Sequence, residues 1–325
     1  MQSFIGKAFL GCEKKRFRFV FLLFVVPFLL GGSSKVQKKP TATPPSDQPP
    51  IRVQVDLVYL HAAVFDKNGR PVQGMKQSDF KVYEDKVEQQ IAKFGPESDT
   101  PVTVGILIDS SGSMGQAKID KAIDAVKVLA ATLSPRDEIF LMGFTDQPYL
   151  LEDFVPASTD LNRPLSRLFS KGATSVGAAV EEGLWKMRDA SNRKQALVVI
   201  SDGLDIPGRG VEDKIRSHET LVYAIGLKGI GGVLGAWAHM QAMNVRGTSL
   251  KIYADESGGR AIFVKDLDEI AQACRDIVFD LKGQYAIAYY PSNTARNGKY
   301  RRIKVLIDHP EYSLQYRRGY YAPRH

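Results

Sequence analysis

The chain has 325 residues, 44% of them apolar and 25% charged, which is long enough for two domains and excludes a disordered or low-complexity protein. Its formal net charge is +8, but half of that lies in the first 34 residues, where Lys7, Lys14, Lys15, Arg16 and Arg18 face only Glu13. The remainder is too mild to point to a polyanion, so no nucleic-acid partner is expected.

From the N-terminus, "KKRFR" precedes the apolar run "FVFLLFVVPFLL" and the small residues "GGSS". A basic segment, a run too short to span a membrane and a small-residue site form the pattern of a secretory leader over 1–34. The rest of the chain is then expected in the periplasm, the cell envelope or the medium, and at a membrane only if the leader is retained. Cys12 leaves with such a leader and Cys274 stays alone, so no internal disulfide is expected. Cys274 falls in the apolar helical stretch "LDEIAQACRDIVFDL" and reads as a buried, inert thiol. Residues 35–50, rich in proline and polar side chains, read as an extended linker.

Residues 51–98 read as β-structure. Ile51, Val53, Val55, Leu57 and Tyr59 alternate as in a strand with one buried face, Asn68-Gly69 is a tight-turn pair, and "DFKVYED" is a second short strand. Between 99 and 283 the pattern changes. Apolar strands ("TVGILI", "EIFLMGF", "ALVVIS", "LVYAIGL", "AIFV") alternate with amphipathic helices, which predicts an α/β domain with a doubly wound, mostly parallel, Rossmann-like sheet. From 284 to 325 strand alternation returns, with Ile303, Val305 and Ile307 on one face and Asn297-Gly298 as a turn. Neither flanking block makes a sheet core by itself, so the two are expected to combine into one β-sandwich with the α/β domain inserted between its strands.

The chemistry concentrates at the ends of the apolar strands. "GILIDSSGSMGQ" runs from a strand into Asp109, Ser111 and Ser113, a carboxylate and two hydroxyls at alternate positions. Such hard oxygens suit a cation like Mg²⁺, and a Ser/Gly turn capping the next helix fits them equally well. Two further segments favour the cation. "SKGATSVGAAV" carries Thr174 in a loop before a helix, and "ALVVISDG" carries Asp202 at the end of another strand. In an open α/β sheet both reach the carboxyl edge where Asp109 lies.

One loop with Asp-x-Ser-x-Ser, one with Thr and one with Asp resembles the metal-ion-dependent adhesion site of von Willebrand factor type A domains. The flanking segments "FDKNGRPVQGMKQSDFKVYED", "QYAIAYYP", "RRIKVLI" and "RRGYYAP" are similar to a bacterial group of secreted proteins related to that domain. One departure is the long stretch 228–250, which can shield or extend the ligand face. The resemblance implies a site for Mg²⁺, with Mn²⁺ as a substitute. Ser111 and Ser113 would then bind the ion directly, Thr174 would join when ligand is bound, and Asp109 and Asp202 would act directly or through water. An Asp or Glu of a protein partner completes the shell.

Enzymatic readings fare worse. A nucleophile elbow needs Gly two residues before its serine, and Ser111 occupies that place before Ser113. A haloacid-dehalogenase-type phosphotransferase wants a second carboxylate two residues after Asp109, where Ser111 again stands. "GIGGVLG" lacks the third glycine of a dinucleotide loop, Asp205 reads either as an acid bonding the groups around the ion or as a solvated loop acid, and "RRIK" and "YRRGYYAPR" read as a solvated sheet face. The expectation is therefore a non-enzymatic adhesion or protein-binding module. A structural envelope protein with a stabilising metal, and behind it a metal-dependent hydrolase, are the alternatives.

Overall fold

The computed structural model describes residues 56–202, 210–227 and 248–324. The expected leader and linker, Asp205, "GIGGVLG" and most of 228–250 lie outside the described residues. At the centre is a six-stranded sheet built from β5 (Val102–Asp109), β6 (Glu138–Phe144), β7 (Pro148–Pro156), β8 (Lys194–Ser201), β9 (Leu221–Leu227) and β10 (Ala261–Val264), in the order β10-β9-β8-β5-β6-β7. All neighbouring pairs are parallel except β6 with β7. Strands β5, β6, β8 and β9 are buried along nearly their whole length because both faces are covered, whereas the edge strand β7 carries Glu152 and Asp153 and is largely open. Helices α1 (Gly115–Thr132) and α6 (Ile270–Lys282) pack one core on one face. On the other lie α3 (Val176–Lys186), α4 (Val211–Arg216) and α5 (Ser249–Ser257), α2 being the short turn Asn162–Leu165. The mixed α/β class with a mostly parallel sheet is thus as the alternation predicts. The antiparallel edge strand β7 is an addition.

The remaining strands are β1 (Val58–Phe65), β2 (Phe80–Glu84), β3 (Val87–Gln89) and β4 (Ile91–Pro96) before the α/β region, and β11 (Tyr285–Tyr289), β12 (Tyr300–Ile307), β13 (Ser313–Gln315) and β14 (Gly319–Tyr321) after it. They pair in two four-stranded sheets, β13-β1-β11-β4 and β14-β12-β2-β3, each mixing strands from both ends of the chain. A single apolar cluster that includes Leu60, Val82, Ile287, Val305 and Tyr320 joins them.

Three details differ from the pattern-based reading. Of the alternation expected from Ile51 to Tyr59, residues 51–55 lie outside the described residues; strand β1 begins at Val58, it buries Val58 and leaves Tyr59 half-buried, and seven of its eight residues are buried. Its second face is closed by the α/β region: His61 bonds Glu97, which pairs with Lys194 of β8, and the Arg260 guanidinium lies 5.1 Å from the centre of the Phe65 ring. Strands β11 and β12 flank the positive-φ Gly298 as expected, yet they belong to different sheets. The basic-aromatic stretch is not wholly a solvated face. Arg302 and Lys304 are exposed and Ile303 and Val305 buried, as alternation requires, but Arg301 and Arg317 turn inward and are only 4% and 8% exposed. Cys274 is fully buried in the core under α6, and burial pushes its thiol up to about 12.

Candidate metal centre

Sheet topology locates the site. The helix after β5, α1, lies on one face, and the helix that follows β8, α4, lies on the other. Adjacent parallel strands whose connections part in this way leave a crevice at their carboxyl ends. Ile108 is paired with Ile200 in this register, so Asp109 comes abreast of Ser201, and Asp202 stands one residue further out.

Asp109 anchors the crevice from below. It is fully buried, its Oδ1 accepts the Ser111 backbone N–H at 2.8 Å, and its Oδ2 accepts the Ser201 hydroxyl at 2.5 Å. Burial pushes its carboxyl up to about 6 against the hydrogen bonds from Ser111 and Ser201, and the nearby Asp202 charge adds to the rise. From Ser111 a line of oxygens crosses the crevice. Ser111 Oγ is 3.1 Å from Ser113 Oγ, and Ser113 Oγ donates to Asp202 Oδ1 at 3.1 Å. The other Asp202 oxygen, Oδ2, receives the Lys118 ammonium at 3.0 Å, which also donates to the Ser113 carbonyl at 2.9 Å.

The loop carrying Thr174 is held against this line at several points. Gly172 adopts φ +79°, a left-handed turn that suits glycine, and its carbonyl accepts the Gly112 N–H at 2.9 Å. Lys171 N–H donates to Ser110 O, Ser175 N–H donates to Thr145 O, and Ser170 Oγ donates to Ser111 O at 3.0 Å. Thr174 is half-buried between these tethers, and its hydroxyl is not bonded to the other four residues. The structure therefore brings Asp109, Ser111, Ser113 and Asp202 into one hydrogen-bonded set, and places Thr174 on a loop tied to Ser110, Ser111, Gly112 and Thr145.

The donor set fits a small hard cation. Oxygens on adjacent vertices of an octahedron with ~2.1 Å arms stand about 3.0 Å apart, and both cross-crevice separations are 3.1 Å. Among the described residues no group of three or more His, Cys, Asp or Glu is assembled, so a soft-metal or carboxylate-cage site is not what these residues offer.

Pattern reading passed over two participants. Lys118 is buried and falls at helical spacing with Ala122, Ala125 and Leu129, a cation in an apolar register, which was the available signal. Ser201, the last residue of β8, reads as ordinary strand and is recognisable only through its register with Asp109.

A von Willebrand factor type A domain family model matches residues 104–204, the segment from β5 to just past Asp202. The chain is 28% identical over 236 residues to inter-alpha-trypsin inhibitor heavy chain H4 of Homo sapiens, covering 66% of this chain and 24% of that protein. It is 27% identical over 139 residues to heavy chain H2 of Mesocricetus auratus, covering 38% and 15%. The aligned part thus spans a quarter or less of these relatives. Among solved structures, it is similar to the von Willebrand factor type A protein from Catenulispora acidiphila (TM-score 0.46, 13% identity, 84% of this chain and 75% of that one). It is also similar to the vWF domain of the type V pili tip protein Mfa5 from Porphyromonas gingivalis (TM-score 0.43, 13% identity, 55% and 94%).

Proposed function

We propose that the chain is an exported, non-enzymatic binding module whose Mg²⁺ site accepts an acidic side chain of a protein partner. The observation that carries this reading is the line of oxygens Ser111, Ser113 and Asp202, spaced 3.1 Å apart above the buried Asp109 at the carboxyl edge of the sheet. Ser111, Ser113 and Asp202 would hold the ion, and Thr174 lies on a tethered loop within the same mouth. A dication held mostly by neutral hydroxyls keeps net positive character, and a hard anionic oxygen is the group best able to displace its water. Among the described residues no histidine takes part in the hydrogen bonds of the site, and His61 is committed to Glu97 elsewhere, which supports a binding role over hydrolysis.

The architecture we propose is an α/β domain over 99–283 inserted into one β-sandwich made of 51–98 and 284–325. Both cores of the central sheet draw only on residues from Val102 to Leu281, and the third core draws only on residues outside that span.

Millimolar Mg²⁺ or Mn²⁺ should raise the unfolding temperature, because an ion that binds only the folded state stabilises by about 2.7 kcal/mol at a hundredfold excess over Kd. Asp109→Ala should abolish that increment, and identical melting curves with and without ion would sink the site. A partner captured from envelope or secreted extract should be released by EDTA and lost with Asp202→Ala while the fold survives. The depth of Asp109 also favours a second reading, a metal that only braces the loops. Stabilisation by ion combined with EDTA-insensitive capture would decide for it.

A further inference from the structure

The end of α4 and the segments from both chain ends line a cleft of about 220 Å³ that has four arginines in its wall, Arg216, Arg296, Arg301 and Arg317. Three are matched by acids within hydrogen-bond reach. Arg216 has Glu256 at 2.8 Å and Asp213 at 3.0 Å, Arg296 has Asp56 at 2.8 Å, and Arg301 has Glu84 at 3.1 Å. Arg317 is the exception. Its Nε donates to Gly319 O at 3.0 Å and its Nη2 reaches Arg216 O at 3.4 Å, but its nearest carboxylate is the exposed Glu219, 4.0 Å from Nη1. The residue is nevertheless only 8% exposed. A buried charge without a bonded counter-charge is costly to keep, and burial pushes this guanidinium below its ordinary range.

We propose that this cleft is a receptor for a carboxylate, gripped by the terminal nitrogens of Arg317. Nε is satisfied by the Gly319 carbonyl and Nη2 holds Arg216 O at the long distance of 3.4 Å, so Nη1 and the second proton of Nη2 remain to receive a bidentate, planar anion. One uncompensated positive charge calls for a monoanion. A phosphate dianion would bring a second negative charge beside Asp56 and Glu219, which line the same cleft. The exposed Asn293 and Thr294 at the rim can donate to a carboxylate's second lone pairs or to the amide of a peptide that carries it. The site shares no residue with the metal centre, so it stands or falls independently of that reading.

The test uses the full chain in EDTA at fixed ionic strength, with chloride replaced by acetate, by inorganic phosphate, or by a short glycine peptide with a free or an amidated C-terminus. The free-carboxyl peptide or acetate should raise the unfolding temperature by about 5 °C at a hundredfold excess over Kd. Arg317→Met should lose this shift while unfolding at or above the wild-type temperature, since the variant no longer buries an unpaired charge. Glu219→Gln removes the competing acid and should tighten carboxylate binding severalfold, which keeps the proposal testable if Arg317→Met fails to fold. An equal shift in Arg317→Met, no shift in the wild-type chain, unchanged affinity in Glu219→Gln, or equal response to the amidated peptide would each overturn it. A larger response to phosphate than to acetate would overturn the assignment to a monoanion.

Discussion

Lys118 occupies a place on α1 where its neighbours at helical spacing are Ala122, Ala125 and Leu129. Its ammonium takes one oxygen of Asp202 and leaves the other to Ser113, so the carboxylate is shared between an internal cation and the crevice. A buried ammonium on one oxygen of Asp202 would repel a dication bound through the other. Lys118→Met should therefore tighten Mn²⁺ binding about tenfold by calorimetric titration, with a small change in fold stability. Weaker binding would mean that the ammonium serves to hold Asp202 in place. The four residues that meet in this hydrogen-bonded set were visible in the sequence because they sit in short loops or turns next to recognisable strand ends. Lys118 was not, because a charge on a helix ordinarily reads as solvated, and only its periodicity says otherwise.

The elements that escaped the pattern share a cause: their shaping forces are not in their own residues. Strand β7 has a proline at each end and two register shifts against β6, so its alternation is broken, and it is a strand only because β6 offers an edge. Strand β3 is three residues long and hangs from a two-residue turn, Asp85-Lys86, with φ of 47° and 73°. That is the left-handed geometry of a primed hairpin, for which Asn-Gly or Asp-Gly is the recognisable signal. Asp85 tolerates it, since its carboxylate accepts the Arg302 N–H at 2.9 Å. Lys86 has no such compensation in its side-chain chemistry. A non-glycine residue in this region costs roughly 1–2 kcal/mol, so Lys86→Gly should stabilise the chain by about 1 kcal/mol, after the added freedom of the unfolded glycine is subtracted. Urea unfolding with an unchanged slope would check it, and a loss of stability would show that the lysine stem packs against β2 more than its backbone suffers.

For the molecule as a whole, the question is what couples the α/β layer to the strands from its two ends, since their apolar cores are separate. The seam is polar and buried. Glu97, just beyond β4, accepts from His61 Nδ1 at 2.7 Å and from Lys194 Nζ at 2.9 Å, and Lys194 also donates to Leu281 O at the end of α6. These partners are scattered along the chain, and no local pattern announces their meeting. Burial by itself raises the Glu97 carboxyl. The imidazole hydrogen bond and the charges of His61 and Lys194 outweigh it, and hold the group down at about 2. Lys194 moves down as well, because its burial exceeds the pull of Glu97. The carboxylate shift is the firmer of the two, since two donors grip one acceptor. A carboxylate whose folded value lies below its unfolded value of 4.5 contributes fully above that pH and loses its contribution as pH falls towards 2. At 1.36 kcal/mol per unit, that is about 3 kcal/mol of acid-labile stability located at the seam. Glu97→Gln should therefore be less stable than the wild-type chain by about that amount at pH 6, and the two should converge only at about pH 1, below the folded value, where the wild-type carboxylate is itself largely protonated. Denaturant unfolding at the two pH values measures the convergence. Curves that stay parallel would mean that the seam is held by packing around Phe65 and Arg260 and not by this carboxylate.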